Sequence, residues 1–281
     1  MELWFTEQEQ DHIRTSWKTE DVLFREQSAF QTVEVIQTKA YGRMLVLDGC
    51  VMITDADEFV YHEMIAHIPA VIHPNPKRVV VIGGGDGGTV RELLKHDGIE
   101  EIVLCEIDGM VVDASRKFFP AVAGKLDDPR VQVRIGDGVA YMRELEGACD
   151  IAVIDSTDPI GPGEGLFSGD FYRSVARALR PGGLMVAQSE SPWYTNEILG
   201  RIHRNIRAGF QHKRSYVGAI PTYPRGLWSW TMASNTAFDP ARFDRARLAK
   251  VAPGLKYLTE TLLTSAFALP AFYQEKLDAI D

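Results

Sequence analysis

The chain has no run of about eighteen apolar residues, the length that a membrane-spanning helix requires. Its opening, Met1-Glu2-Leu3-Trp4-Phe5-Thr6-Glu7, lacks the basic-then-apolar order of a secretory leader, so a cytoplasmic protein is expected. Cysteine is scarce. Cys50, Cys105 and Cys149 form an odd, widely spaced set without a CxxC pair, two of them inside strand-like apolar runs, which predicts buried reduced thiols. Positive charge is also short: 30 Lys and Arg face 39 Asp and Glu, leaving a net charge of -9. That balance argues against a nucleic-acid surface and fits a cationic substrate. No internal repeat or low-complexity segment is visible. What remains is an ordinary globular composition, 45% hydrophobic and 25% charged over 281 residues, enough for one large domain or two unequal ones.

From Gln27 to Thr54 apolar and polar residues alternate around a Tyr41-Gly42 turn, the pattern of a small antiparallel β region. Phe59 to His73 carries apolar residues at helical spacing and meets Pro74-Asn75-Pro76, where a helix should stop. Short apolar runs then alternate with helical segments: Arg78–Gly83, Glu100–Asp108, Arg130–Asp137, Cys149–Ser156 and Gly182–Glu190. Strands alternating with helices imply a parallel sheet with right-handed crossovers. Gln211–Val217 and Trp228–Ala233 read as closing strands, one of them able to run antiparallel, and Pro240–Asp281 as helical trim.

The first of these strands ends in Gly83-Gly84-Gly85-Asp86-Gly87-Gly88, with a helix starting near Thr89. Such a loop lets backbone approach a ligand and aims helix N–H groups at it, although a tight bend alone would also use glycine. The second strand ends in Glu106, about 20 residues on, where an acid accepts hydrogen bonds from ribose hydroxyls. The third ends in Gly136-Asp137-Gly138, an acceptor for an adenine amino group. This order resembles the methyltransferase folds that bind adenosyl sulfonium compounds more than nicotinamide folds. Asp86 discriminates, since an acid in the loop repels phosphate and welcomes ammonium.

His62-Glu63-Met64-Ile65-Ala66-His67 resembles the zinc motif HExxH, but the second histidine comes one place late. At i, i+5 the rings diverge by about 140° around a helix, so no metal site is read there. Tyr61 and His62 nevertheless stand just before the nucleotide-binding unit. Later, Gly218 to Trp228 gathers prolines and aromatics around Tyr223, either a stiff cap on the core or a wall for an alkyl chain with polar ends. Trp4, Phe5 and Trp17 read as packing or interface residues. After the fourth strand, Asp155-Ser156-Thr157-Asp158-Pro159 places two carboxylates three residues apart, and the glycine-rich Ile160–Phe167, with few apolar anchors, reads as a gate.

Taken together these segments resemble the polyamine aminopropyltransferases, most closely the spermidine synthases. The matching pieces are Ser28–Gln31, Tyr41–Gly49, Asp57–Met64, the glycine loop, the Glu106 and Asp137 strand ends, Asp155–Pro162, Gln188–Ser191 and Pro221–Pro224, in family order over nearly the whole chain. The resemblance implies an α/β fold: a small N-terminal antiparallel β domain over 1–58 and a methyltransferase-like Rossmann domain over 59–281. It implies transfer of an aminopropyl group from decarboxylated S-adenosylmethionine to a diamine, usually putrescine, giving spermidine and methylthioadenosine. The donor is a co-substrate, so no cofactor is expected. On matching positions, Gln31, Glu106, Asp137 and Gly138 would hold adenosine and Asp86 the donor's amine. Tyr61, His62, Asp158, Gln188 and Tyr223 would line the acceptor end, and Asp155 would be the base. A homodimer or homotetramer is expected, with no membrane partner.

The chemistry agrees. Decarboxylation leaves a cationic donor tail and a diamine brings further cations, so both ends of the site call for acids. Two rivals share the fold, a methyltransferase using intact S-adenosylmethionine and a silent nucleoside-binding protein; Asp86 and the Asp155/Asp158 pair speak against the first, and intact Asp155, Asp158 and Tyr223 against the second.

Overall fold

Alternation in the first fifty-odd residues builds a curled antiparallel sheet. In the computed structural model, which describes residues 2–10, 12–157, 161–194 and 196–280, the sheet contains β1 (Leu3–Gln10), β2 (Ile13–Gln27), β3 (Thr32–Thr38), β4 (Gly42–Leu47) and β5 (Cys50–Thr54), paired in that order. β1 and β2 begin well before Gln27, where the alternation becomes legible. Register shifts at Gln8/Gln10, Thr19/Asp21 and Val22/Phe24 break their period, and the second half of β2 is largely exposed, so no continuous apolar face marks them. Glu7 of β1 accepts the amide of Val51 on β5 at 3.1 Å, which draws the two edges of the sheet together. The inner face, with Val33, Val35, Leu45, Leu47 and Ile53, packs on Val111 and Ala114 of the next domain.

α1 (Glu58–Ile72) follows directly, and every residue of it except Phe59 is buried. Pro69 lies inside the helix without ending it. The stop comes at His73, which is extended (ψ 131°) as the steric demand of the following Pro74 requires.

The larger sheet contains β6 (Arg78–Gly83), β7 (Glu101–Glu106), β8 (Val131–Ile135), β9 (Cys149–Asp155), β10 (Leu179–Gln188), β11 (His212–Ala219) and β12 (Leu227–Ser234). Their spatial order is β11-β12-β10-β9-β6-β7-β8. β6 to β10 are parallel, β12 alone runs against both its neighbours, and the chain reverses its winding between β6 and β9. Helices α2 (Gly88–Leu93), α3 (Gly109–Phe118), α4 (Pro120–Ala123), α5 (Gly138–Glu144), α6 (Gly169–Ala178) and α7 (Asn196–Gly209) lie between the strands. α8 (Arg245–Val251), α9 (Glu260–Ser265) and α10 (Ala271–Ile280) form the C-terminal trim. Among the described residues no helix is long and apolar enough to cross a membrane. Cys105 and Cys149 are buried and Cys50 half-buried, all as free thiols.

The trim is fastened by a charge. Glu63, 1% exposed in the middle of α1, accepts the backbone N–H groups of Lys256, Tyr257 and Leu258 at 2.7, 2.9 and 2.7 Å. Glu63→Gln replaces a carboxylate oxygen by an NH₂ group that faces donors, and is expected to cost about 2–3 kcal/mol. Guanidinium denaturation at fixed protein concentration checks this: the midpoint should fall with little change in slope.

Candidate active site

β6 and β9 diverge where the winding reverses, and at such switch points open α/β sheets hold ligands beyond the carboxyl ends of their strands. Gly83, the last residue of β6, pairs with Asp155, the last of β9, so the glycine loop and this carboxylate meet in the crevice. Gly84 has φ +67°, and a Cβ there would fall 2.6 Å from Asp155 Oδ2. Only glycine allows the loop to lie on the carboxylate.

Asp155 is buried. Tyr61 donates its hydroxyl hydrogen to Oδ1 at 2.7 Å, and Thr89 donates to Oδ2 at 2.6 Å. Burial and the negative charge of Asp86 push its carboxyl above the usual range, against the opposing pull of His62 and the two hydroxyls. Tyr61 is itself pushed well above the ordinary tyrosine value by burial and by Asp155, so it stays a donor. The two groups come from well-separated parts of the chain, α1 before the sheet and β9 in its middle.

Asp86 lies next to this pair. Its Oδ1 accepts the Gly88 N–H at 2.7 Å and lies 3.0 Å from His62 Nε2, an ion-pair contact. Burial works against its charge, but the His62 charge and the Gly88 amide outweigh that and lower its value. On the other side of the ring, His62 Nδ1 is 2.6 Å from Glu58 Oε2. The HExxH-like spacing is resolved as the helix geometry requires: His67 points elsewhere, to Glu92 at 2.8 Å and His96 at 2.8 Å.

The adenosine-side candidates are gathered at the ends of β7 and β8. Glu106 is buried and accepts the amides of Gly85 at 3.2 Å and Asp108 at 2.9 Å; burial above all, with Asp108 nearby, pushes its carboxyl up to about 7. Asp137 caps α5, accepting from Val139 and Ala140, both through Oδ1. Gly138 is tight against Ile82, where a Cβ would come within 2.4 Å of Cγ2. Gln31 reaches in from the N-terminal sheet and donates to Asp108 at 3.1 Å. All four line one cavity with Asp86, Asp155 and Tyr61.

At its other end the cavity is aromatic. Tyr223 stands 5.8 Å from Tyr61 and 4.8 Å from Trp228, ring centre to ring centre. Its hydroxyl hydrogen goes to the Met52 carbonyl at 2.6 Å, so the ring face rather than the hydroxyl is its contribution to the wall. Gln188 is buried, with Nε2 3.4 Å from the Thr157 carbonyl and 3.3 Å from Glu190 Oε1. Asp158 lies outside the described residues. The segment expected to gate the site forms a 3-10 helix over Gly161–Phe167, and of its few apolar residues Phe167 is 3% exposed and packs in the core, its carbonyl accepting from Asn205 at 2.7 Å.

Several cavity residues carry no legible signal in the sequence. Glu7, Met52 and Ile53 line it from the N-terminal sheet, whose strands read only as scaffold. Thr89, whose hydroxyl donates to Asp155, follows the glycine loop and likewise reads only as the start of a helix. The arrangement as a whole can hold cations between buried carboxylates, stack an apolar chain on aromatic faces, and take up a proton at Asp155.

The chain matches the spermine/spermidine synthase domain over residues 58–242 and the spermidine synthase tetramerisation domain over residues 3–55. It is 44% identical to a polyamine aminopropyltransferase of Bacillus mycoides over 97% of this chain and 98% of that one. Among solved structures it is similar to a spermidine synthase in complex with the transition state analogue AdoDATO, with 40% identity, a TM-score of 0.95 and coverage of 99% and 95% of the two chains. The spermidine synthase of Thermotoga maritima is 38% identical with a TM-score of 0.92, covering 98% and 94%. Matched end to end in sequence and fold, with acids gathered at the switch point, the chain belongs to the spermine/spermidine synthase family and is a polyamine aminopropyltransferase.

Proposed function

We propose that the enzyme makes spermidine, moving the aminopropyl group of decarboxylated S-adenosylmethionine onto putrescine and releasing methylthioadenosine, with Asp155 as the base. The observation that carries this reading is the buried Asp155 carboxylate, set between two hydroxyl donors and beside a second acid, Asp86, at the mouth of an aromatic channel. A relative of the same fold holds the transition state analogue AdoDATO, which supports it.

In this reading Gln31, Glu106, Asp137 and Gly138 hold the adenosine, and Asp86 faces the donor's ammonium. Tyr61, His62, Asp158, Gln188 and Tyr223 serve the acceptor. The attacking nitrogen forms a bond to the donor's methylene carbon as the C–S bond breaks, and the electron pair leaves on a neutral thioether. Little anionic charge develops, so the reaction calls for no cofactor, only alignment and loss of a proton. An alkyl amine resembles lysine, with a value of about 10.4, so only about one in a thousand is nucleophilic near neutrality. Asp155 accepts that proton. Its raised value makes it a stronger base than a solvated carboxylate, and the apolar ring faces disfavour the ammonium form. The exposed Leu3, Trp4, Val22 and Leu23 of the N-terminal sheet, together with its match to a tetramerisation domain, support a homodimer or homotetramer. The reaction suits the cytoplasm.

Asp155→Asn should lower turnover by roughly 10²–10⁴ at neutral pH with donor affinity nearly unchanged. Ionised Asp155 increases as pH rises, so wild-type turnover should rise along an acid limb. The variant should lack that limb and recover only toward about pH 10, where free amine forms unaided. Single-turnover rates across pH check this, and near-normal turnover at neutral pH would refute the base.

Decarboxylated donor should bind at least about tenfold more tightly than intact S-adenosylmethionine, whose carboxylate would lie near Asp86. Asp86→Asn should shrink that preference by weakening the decarboxylated compound. Calorimetry with both compounds measures it; equal affinities for the wild type would sink the assignment.

A further inference from the structure

The cavity contains more negative charge than its walls should tolerate. Asp155 is buried and Asp86 half-buried beside it, and the negative charge of Asp86 disfavours ionisation of Asp155. What separates this site from a pair of carboxylic acids is the ring of His62, fully buried beside them. Both ring nitrogens face carboxylate oxygens, Nδ1 at 2.6 Å from Glu58 Oε2 and Nε2 at 3.0 Å from Asp86 Oδ1. A neutral imidazole brings no charge to balance these anions, whereas an imidazolium donates to Glu58 through Nδ1 and is drawn electrostatically to Asp86, whose contact with Nε2 is an ion pair without hydrogen-bond alignment.

The ring is clamped in place. Gly88 opens α2 directly under it, and a Cβ at that position would come within 2.2 Å of the ring carbon Cε1. Tyr61 meets the ring edge-on at 5.6 Å. Glu58 is fixed from behind by a two-pronged pair with Arg91, Nη1 to Oε1 at 2.9 Å and Nη2 to Oε2 at 2.8 Å. Arg91 in turn is held by Glu92 at 2.8 Å and by the Ala121 carbonyl. Glu58 itself is 8% exposed and lines no part of the cavity, so it has no contact with substrate to explain its presence.

We propose that Glu58, locked by Arg91, is a positioning residue: it holds the His62 imidazolium against Asp86 so that Asp86 and Asp155 can occupy the dry cavity together as anions. The proposal rests on Asp155 acting as the base. The charged and titratable groups around the ring are Glu58 and Tyr61 on α1, Asp86 in the glycine loop, Arg91 on α2 and Asp155 on β9. Burial opposes the ring's charge, yet Asp86 and Glu58 together lift His62 to about 10. Burial likewise opposes the charge of Glu58, and His62 and Arg91 bring it down to about 2. The sign follows. His62 contributes stability in full below its ordinary value of 6.5 and loses it as pH rises through about 10, so across the working range the ring stays charged. With Glu58 neutralised, the ring would face Arg91 without the intervening anion and lose its proton. Asp155 would then lose a nearby cation, and more of it would be protonated at neutral pH.

Two measurements test this. Long-range proton–nitrogen spectra of the substrate-free enzyme, with the His62 signals assigned through His62→Asn, should show an imidazolium from about pH 6 to pH 9. In Glu58→Gln the ring should titrate inside that window. Turnover of Glu58→Gln should fall roughly tenfold at neutral pH and recover as pH rises, because its acid limb moves up by about one unit. Glu58→Asp, which keeps the charge, should restore most of the wild-type profile and stands in should Glu58→Gln not fold. A neutral His62 in the wild type, or a Glu58→Gln ring still charged at about pH 9 with the limb unmoved, overturns the proposal. The base assignment is tested apart from it: Asp155→Asn keeping the wild-type limb would bring down that assignment alone, while the ring's state, read without substrate, still decides the role of Glu58.

Discussion

A helix with no solvated face must find every polar side chain it carries a partner inside the protein, and α1 is such a helix. Tyr61, His62, Glu63 and His67 succeed one another around its circumference, and each meets a different part of the fold. Tyr61 reaches the end of β9, His62 the glycine loop, Glu63 the amides before α9, and His67 the Glu92 and His96 side chains. Removing water from α1 therefore fixes where the central strand, the first nucleotide-side loop and the C-terminal trim lie relative to one another. The helix joins the two sheets in sequence and locks the site in space.

The same dryness makes the crevice acidic at a cost. Asp86, Glu106 and Asp155 come from three strand ends, and each is desolvated. Their charge is supported by different means. Asp86 has a histidine cation and a backbone amide; Glu106 has two backbone amides yet still rises to about 7; Asp155 has two hydroxyl hydrogens. This gradation gives one pocket carboxylates of different basicity. A surface cluster of acids would be levelled by solvent and could not do so.

The N-terminal sheet, which matches a tetramerisation domain, also walls the cavity. Its inner face packs on α3, and Gln31, just before β3, and Met52 of β5 reach the cavity wall, Gln31 through Asp108 and Met52 through the Tyr223 hydroxyl. The cavity is thus walled by both sheets. Isolated from the first sheet, the second would present an open crevice.

The α/β class, the parallel strands and the residues at their carboxyl ends were legible in the sequence because they are local: a glycine loop after an apolar run, an acid about twenty residues on, a second acid after the next strand. Period and spacing along the chain carry that information. β1 and β2 escaped because their bulges break the alternation, and Pro69 does not break α1 although proline usually would. The sequence also showed that His62 and His67 could not share one metal, since an angle around a helix follows from residue count alone. It could not show where each ring would go. Glu58 and Thr89 gave no sign of their place beside the site, and Tyr223 gave none that its hydroxyl would be turned away to Met52. Glu58 meets His62 one turn away on the same helix, but the contacts that fix these side chains, Glu58 with Arg91, Thr89 with Asp155 and Tyr223 with Met52, join residues thirty or more positions apart. Only packing decides them, because the cost of leaving a buried polar group unpaired is settled by whatever the completed fold brings within about 3 Å.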